Sequence, residues 1–290
     1  MDLEDGGRRL VAKQESASHT IETWEWTSSA LGCLKRVSVL VPMTAKNRPD
    51  RFPVLFLLHG FGGSRSTWLL RTRLVEFLRG LHLIVVLPES GRRWFINDHR
   101  GLEYEDYLVR ELVPFTEECL PVRRRPGHRA IGGFSMGGAA ALMQALRHPG
   151  LFDTVISHAG AFAGPTRVGD PYSALRSQPD LLFPSTEAHE RVWGPPGSAV
   201  RARYNVDTLI ASGTDEHRRL SVYADVGLGD HERIITMNRT TARALRTAGI
   251  RTEYYERPGS HDLEFLDRAL PHSLRFAAER LGAARRRRIN

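Results

Sequence analysis

One serine in this chain lies where its hydroxyl could act as a nucleophile. Ser135 is the centre of a Gly-x-Ser-x-Gly pentad, residues 133–137. A short segment at 128–131 predicts a strand before the pentad, and residues 139–148 after it are rich in strong helix formers. A serine on a sharp turn between strand and helix is lifted off the sheet, and flanking glycines leave room for the turn. The pattern favours nucleophilic catalysis by Ser135 over the alternative, a glycine-rich turn whose serine only caps the helix.

A nucleophilic serine needs two partners, because its hydroxyl reacts weakly at its ordinary pKa. A base must lie within hydrogen-bonding distance, and an acid must orient that base. In a parallel sheet such groups follow the carboxyl ends of strands. His261 follows a predicted strand at 251–255 and a turn, and Asp230 follows a predicted strand at 220–226 and a turn. The chain order of Ser135, Asp230 and His261 is the nucleophile, acid and histidine order of α/β-hydrolases.

Several other residues compete for these two roles. Asp225 ends a predicted strand and is the alternative acid. Asp262 adjoins His261 in the chain and cannot easily turn back onto its ring. The remaining histidines near strand ends are interpreted as structural or surface residues: His59, His158 and His231. We therefore expect Asp230 and His261 to be the partners of Ser135.

A second glycine-rich turn, residues 59–63, follows a predicted strand at 54–58. All five residues of that strand are apolar, which is typical of a strand buried on both faces of a parallel sheet. A glycine-rich turn at its carboxyl end lets backbone N–H groups point into a crevice. An oxyanion hole would form here; the alternative is a tight turn that binds nothing.

The elements that must position these residues alternate between strand and helix. The alternation from 54 to 158 predicts right-handed βαβ units and a mostly parallel central sheet with helices on both faces. Alternating apolar and polar residues at 21–26 and 34–41 predict an antiparallel hairpin at the edge of this sheet. Six prolines interrupt residues 161–208, which are predicted to form an irregular, lid-like insertion over the active-site edge.

The loop at 88–97 is unusually rich in large side chains for a connection. Loops at this edge of an open sheet carry binding groups, so Trp94, Phe95 and Asn97 are candidate substrate contacts. The alternative, that Trp94 and Phe95 only cover the core, has equal weight.

The chain length of 290 residues fits a single domain, which we place at residues 19–282. Residues 1–18 are polar and predicted to be flexible. Residues 283–290 include four consecutive arginines and are predicted to form a solvated basic tail.

Composition argues against several other classes of protein. With 41% hydrophobic and 26% charged residues, the chain is that of an ordinary globular protein. The net charge is +8, but aromatic residues are not interleaved with the basic residues as on a nucleic-acid-binding surface. No apolar run approaches a membrane span and the N-terminus has no signal-peptide core, so a cytoplasmic location is expected. The two cysteines have no metal or redox spacing, and no metal-binding or phosphate-binding motif is present, so we predict neither a metal nor a cofactor.

The chain resembles the putative-esterase family of α/β-hydrolases, which includes esterase D-like enzymes, feruloyl esterases and mycolyltransferases. The resemblance covers residues 34–270 and rests on stretches at 53–60, 104–108 with 111–114, 133–138, 225–230 and 258–262. It implies that the backbone N–H groups of Phe61 and Met136 form the oxyanion hole. It also implies that the insertion, with Trp193 in its clearest matching segment, shapes the substrate pocket.

These observations predict a serine esterase that hydrolyses a small-molecule acyl ester through an acyl-enzyme. Acyl transfer from the same intermediate and thioester hydrolysis of the S-formylglutathione type are the alternatives. A non-catalytic binding protein on the same scaffold is a third alternative. The presence of suitable residues at all three triad positions argues against it. The sequence does not specify the acyl length, the alcohol or the oligomeric state. A homo-oligomer is compatible with it.

Overall fold

Nine strands form one sheet in the computed structural model, which describes residues 7–47, 51–124, 127–170 and 185–283. The strands are β1 Arg9–Glu15, β2 His19–Ser28, β3 Cys33–Pro42, β4 Val54–Leu58, β5 Ile84–Leu87, β6 Arg129–Phe134, β7 Thr154–His158, β8 Ser221–Gly227 and β9 Arg251–Arg257. Their order across the sheet is β1-β2-β3-β5-β4-β6-β7-β8-β9. Strands β4 to β9 are parallel, and β1 to β3 join antiparallel on the β5 side. The mostly parallel sheet is as predicted.

Helices cover both faces of the parallel strands. They are α1 Thr67–Arg71, α2 Leu74–Phe77, α3 Tyr104–Asp106, α4 Val113–Cys119, α5 Met136–Arg147, α6 Thr186–Trp193, α7 Ala199–Arg203, α8 Val206–Ala211, α9 Glu232–Thr247 and α10 Leu263–Leu281. A π-helical segment, Tyr107–Leu112, joins α3 to α4. One face packs against α4, α5 and α8, and the other against α1, α2 and α10.

The burial of strand β4 on both faces explains why its sequence is apolar at every position. Val54, Phe56 and Leu58 belong to the core on the α5 face. Leu55 and Leu57 belong to the core on the α10 face. Successive side chains of a strand point to opposite faces, so a strand covered on both sides needs apolar residues throughout.

The N-terminal segment differs from the prediction of a flexible terminus. Residues 9–15 form β1, which pairs antiparallel with β2. Ion pairs from Arg9 to Glu25 and from Lys13 to Glu22 link the two strands. All residues of β1 are exposed, so its sequence carries no alternating apolar signal. The predicted hairpin is confirmed as β2 and β3, with β1 outside it at the sheet edge.

The insertion at 161–208 is more regular than predicted. Its described part contains α6, α7 and the start of α8, each opened by a capping side chain that accepts a backbone N–H bond: Ser185, Ser198 and Asn205. Helices this short show too few turns for a periodic apolar pattern to be recognised. Residues 171–184 of the insertion and the four arginines of the basic tail lie outside the described residues.

Within the described residues, no helix combines the length and the apolar character needed to cross a membrane.

Candidate active site

Ser135 occupies the turn between β6 and α5 in a backbone conformation that few side chains adopt. Its φ of 54° lies in the left-handed region. A Cβ on Gly133 would lie 2.5 Å from the Leu58 carbonyl oxygen, and one on Gly137 would come within 2.6 Å of backbone atoms of Leu58 and His59. The two glycines of the pentad are therefore required, because the turn lies directly against the end of β4.

Two backbone hydrogen bonds fix this turn against the neighbouring strand. The N–H of Ser135 donates to the carbonyl of His158, at 2.8 Å, and the N–H of Ala161 donates to the carbonyl of Ser135, at 3.1 Å. Both partners lie at or just beyond the carboxyl end of β7. Ser135 is thus held by hydrogen bonds on both its N–H and its carbonyl group.

The two side chains predicted to accompany Ser135 lie beside it. The Ser135 Oγ is 2.8 Å from His261 Nε2, and His261 Nδ1 is 2.7 Å from Asp230 Oδ2. The Asp230 side chain is fully buried, and its other oxygen accepts the N–H of His231 at 2.6 Å. An ionised carboxylate can only accept, so it selects the imidazole tautomer with the proton on Nδ1. Nε2 is then free to accept the serine proton.

The loops that carry the acid and the base are bonded to each other. Gly229 N–H donates to the carbonyl of Gly259 at 2.8 Å, which links the turn after β8 to the turn before α10. Asp262, the residue after His261, instead accepts the N–H of Phe265 at 2.7 Å and caps α10. Its carboxylate therefore caps the helix and does not turn back onto the His261 ring.

Asp225, the alternative acid, points away from His261 into the protein interior. It accepts from His158 Nδ1 at 2.7 Å and from the Tyr223 hydroxyl at 2.8 Å. His158 Nε2 lies 2.9 Å from the Ser273 hydroxyl. Asp225, His158 and Ser273 have no exposed surface, so no substrate reaches this second aspartate, histidine and serine arrangement. It anchors the residue whose carbonyl holds the Ser135 N–H.

Phe61 and Met136, whose N–H groups are the expected oxyanion donors, line the same cavity as Ser135 and His261. Met136 is the first residue of α5, and N–H groups in the first turn of a helix have no acceptor within it. Phe61 lies in a turn closed by the Gly63 N–H bond to the Gly60 carbonyl, at 3.0 Å.

His59 holds this turn in place with its side chain. Its Nδ1 donates to the carbonyl of Gly60 at 2.7 Å, and its Nε2 accepts the N–H of Ser90 at 3.0 Å. Burial lowers the pKa of His59, which keeps the ring neutral and able to make one bond of each kind. The histidine thus links the glycine turn to the loop after β5.

A cavity of about 460 Å³ opens in front of Ser135. Trp94 forms one wall, and Ile234, Met237 and Leu263 contribute apolar surface to it. The opening is large enough for a small ester to reach the serine hydroxyl. Among the described residues, no group of three or more histidine, cysteine, aspartate or glutamate side chains is arranged so that it could hold a metal ion.

Of the four predicted substrate contacts, only Trp94 lines this cavity. Phe95 has no exposed surface and packs against His59, with ring centroids 5.2 Å apart. The Asn97 side-chain oxygen accepts backbone N–H bonds at the start of α3, at 3.0 and 3.2 Å. Trp193 is fully buried behind Trp94, edge to face at 5.2 Å. Asn97 and Trp193 lie behind the wall and support it, which corrects their assignment as substrate contacts. For Phe95 the alternative holds, since this side chain is part of the core.

The physical reason for these corrections is local backbone geometry. Trp94 and Phe95 both have positive φ, 58° and 53°. This conformation turns consecutive side chains in directions that residue spacing does not reveal. Lining residues that the sequence analysis did not single out come from separated elements: Arg71, Arg167, His189, Arg233 and Met237. No motif marks them, because only the fold brings them to one cavity.

A buried carboxylate ties the Trp94 loop to the insertion. Glu105, with 4% of its side chain exposed, receives hydrogen bonds from Arg147 at 2.8 Å, His148 at 2.7 Å and the Tyr204 hydroxyl. The Tyr204 hydroxyl in turn accepts the N–H of Asn97 at 2.9 Å. The network therefore supports the wall of the cavity from behind.

Glu105 should contribute stability that depends on pH. Burial acts to raise its pKa, but hydrogen bonds from its three partners outweigh burial and lower the pKa to about 2. With a depressed folded pKa, the contribution is fully present above the ordinary value of 4.5 and is lost as the pH falls toward about 2. We expect Glu105→Gln to lower the free energy of unfolding by about 2 kcal/mol near neutral pH. Urea titrations should show this difference shrinking as the pH falls through that window; a constant difference would contradict the assignment.

Comparison with known proteins agrees with this geometry. A family model described as "Putative esterase" matches residues 28–277. An acetyl esterase of Caldicellulosiruptor saccharolyticus is 24% identical over 258 residues, 85% of this chain and 94% of that protein. The structure of a ferulic acid esterase matches with a TM-score of 0.75 at 22% identity, covering 91% of this chain and 99% of its own. That of an S-formylglutathione hydrolase from Agrobacterium tumefaciens matches with a TM-score of 0.77 at 18% identity, covering 94% and 99%. These likenesses confirm the predicted α/β-hydrolase fold.

Proposed function

The chain belongs to the putative-esterase family of carboxylic ester hydrolases, and from this premise we propose that it cleaves a small acyl ester through an acyl-enzyme on Ser135. The observation that carries the proposal is the hydrogen-bonded series from Ser135 to His261 to Asp230 at the base of an open cavity. Each member has the neighbour that its role requires.

In the first half of the reaction, the Ser135 oxygen attacks the ester carbonyl while His261 Nε2 takes its proton. His261 then delivers this proton to the leaving alcohol, and the acyl group stays on Ser135. In the second half, His261 removes a proton from water, which attacks the acyl carbonyl. The bond to the Ser135 oxygen then breaks, His261 returns the proton to that oxygen, and the acid is released. Asp230 holds the imidazole tautomer and stabilises its positive charge in both halves.

The tetrahedral intermediate carries a negative charge on the former carbonyl oxygen. The N–H groups of Phe61 and Met136 are the proposed donors to this oxygen, since both residues border the cavity beside Ser135. One such donor typically contributes about 3 kcal/mol of transition-state stabilisation. The bond from His59 to the Gly60 carbonyl supports this role by fixing the turn that contains Phe61.

Rapid mixing with p-nitrophenyl acetate tests the covalent intermediate. We expect a burst of p-nitrophenol close to one equivalent per chain, and a mass increase of one acetyl group located on Ser135. The same chain should react with a fluorophosphonate at this serine. Absence of both the acetyl adduct and the fluorophosphonate label would exclude Ser135 as the nucleophile and favour a non-catalytic role.

Product analysis then separates hydrolysis from its two alternatives. Adding alcohol or amine acceptors should leave acetate as the main product if water is the acceptor, whereas a dominant acylated acceptor would identify a transferase. Faster turnover of the thioester than of the matched oxygen ester would identify a thioesterase. A cytoplasmic location stays a prediction from the sequence.

A further inference from the structure

Two neighbouring cavities share a wall beside the catalytic serine. The first, of about 460 Å³, is lined by Ser135 and His261. The second, of about 340 Å³, is bordered by α6 through Ala188 and Val192. Three residues line both cavities: Phe61, Trp94 and His189. These shared residues therefore lie between the space in front of the serine and the space beyond it.

Trp94 is the bulkiest of the shared residues, and its surroundings fix its position. Its backbone lies in the left-handed region, with φ of 58°, and only 7% of the residue is exposed. Trp193 packs edge to face behind it at 5.2 Å. A Cβ on Gly164 would lie 3.1 Å from the Trp94 ring and 2.7 Å from the Trp193 ring, so the insertion packs directly against both rings. Strained backbone of this kind persists where the surrounding structure enforces it, and it is concentrated at functional sites.

The main chain that follows Trp94 is also anchored. The carbonyl of Phe95 accepts a hydrogen bond from Gln144 Nε2 at 2.8 Å, and Gln144 is fully buried on α5. The N–H of Asn97 donates to the Tyr204 hydroxyl at 2.9 Å. Helix α5 therefore helps to position the Trp94 loop as well as the turn that carries Ser135.

The wall between the cavities carries no charge at physiological pH. His189 is 4% exposed, and burial, together with the charges of Arg167 and Arg201, lowers its pKa to about 3. Its ring is therefore neutral, as are the rings of Phe61 and Trp94. An uncharged aromatic wall is suited to contact with hydrocarbon.

The geometry of the reaction indicates which part of the ester meets this wall. His261 must reach the oxygen of the leaving alcohol, so the alcohol lies on the His261 side of the carbonyl carbon and the acyl group points away from it. The described lining of the second cavity includes neither His261 nor any residue after Val192. The shared wall therefore lies on the acyl side.

We propose that Trp94 limits the length of the acyl group, because its indole ring separates the cavity in front of Ser135 from the second cavity. Short acyl groups fit in front of the serine, whereas a longer chain would have to pass the indole ring. Removal of this ring joins the two cavities and admits longer chains. The inference rests on the proposed esterase function and specifies the acyl class of its substrate.

Turnover of p-nitrophenyl octanoate relative to p-nitrophenyl butyrate tests the limit. In the unsubstituted chain, we expect kcat/KM for the octanoate to be no higher than that for the butyrate. Trp94→Gly should raise the octanoate-to-butyrate ratio about tenfold, because each additional buried methylene is worth about fourfold in an equilibrium constant. Glycine adopts the left-handed φ readily, so the loop should keep its path. The ratio does not depend on the amount of active protein.

Two further variants connect the change with the second cavity. Ala188→Trp places an indole ring at an exposed position of α6 that lines this cavity. Added to Trp94→Gly, it should cancel most of the increase, because it fills the space that the longer chain would use. Trp24→Ala is the matched control, since Trp24 has the same exposed fraction of 7% and lines neither cavity. It should leave the ratio unchanged.

The alcohol part of the substrate provides an independent check. The ratio of kcat/KM for octyl butyrate to that for methyl butyrate should be the same in the unsubstituted chain and in Trp94→Gly. A change in this ratio instead of the acyl ratio would overturn the inference, because the wall would then lie on the alcohol side.

The remaining outcomes separate this inference from the proposed function. An octanoate-to-butyrate ratio that stays constant in Trp94→Gly, or rises as much in Trp24→Ala, would overturn the inference and leave the esterase standing. So would an increase that Ala188→Trp does not reduce. If Trp94→Gly does not fold, Trp94→Phe decides, with an expected increase of about threefold from its smaller ring, and no increase would overturn the inference. No turnover of either ester by the unsubstituted chain would remove the proposed function itself.

Discussion

Replacing Ser135 by alanine should lower kcat by roughly 10⁵-fold or more while leaving the fold intact. The substitution removes the oxygen atom that forms the covalent bond. Alanine is also smaller than serine, so it fits the same turn, and the positive φ is no more strained for one than for the other. Ester turnover and fluorophosphonate labelling are the measurements, with circular dichroism to confirm folding.

Ser212→Ala provides the matched control, because this exposed serine lies at the end of α8, where its hydroxyl donates to the carbonyl of Leu209. Its activity and labelling should equal those of the unsubstituted chain. If Ser135→Ala kept more than about one part in 10³ of the ester turnover, the acyl-enzyme mechanism on this serine would be wrong.

The second large effect is expected from Asp230→Asn, which should lower kcat by about 10⁴-fold. The asparagine amide can donate to His261 Nδ1, which favours the tautomer with the proton on Nε2. That tautomer cannot take the proton of Ser135. The steady-state kcat is the quantity to measure, with the melting temperature as the check that the variant folds.

Asp225→Asn is the informative comparison, because Asp225 was the alternative acid and lies only five residues earlier in the chain. It should act on stability, lowering the free energy of unfolding by about 3 kcal/mol, because the buried partner His158 loses a charged acceptor. Its folded fraction should keep most of its kcat. The reverse pattern, a folded but inactive Asp225→Asn beside an active Asp230→Asn, would transfer the role of acid to Asp225.

The site could be predicted from the sequence to the extent that it depends on local patterns. The Gly-x-Ser-x-Gly turn is specified by residues that touch each other within one turn of chain. His261 and Asp230 were predicted because each follows a strand and a glycine-containing turn, and parallel strands end at the same edge of a sheet. In the structure, His261 Nε2 lies 2.8 Å from the Ser135 Oγ, and Asp230 Oδ2 lies 2.7 Å from His261 Nδ1.

Predictions about the cavity wall failed where side-chain direction decided the outcome. Phe95 and Asn97 lie within three residues of Trp94, yet one packs in the core and the other caps α3. Positive φ angles at Trp94 and Phe95 break the alternation that spacing would suggest. Strand β1 was missed for a different reason, since an exposed edge strand carries no buried face and thus no apolar pattern.

Local sequence patterns were enough to predict the strand and helix order of the parallel sheet, the serine turn and the candidate partners of that serine. These follow from periodicity and glycine placement, which act over a few residues. Two features required the folded chain: the choice of the aspartate that contacts His261, and the meeting of Arg71, Arg167 and Arg233 at one cavity. Such contacts join residues far apart in the chain, and they depend on loop paths and side-chain directions that no local pattern specifies.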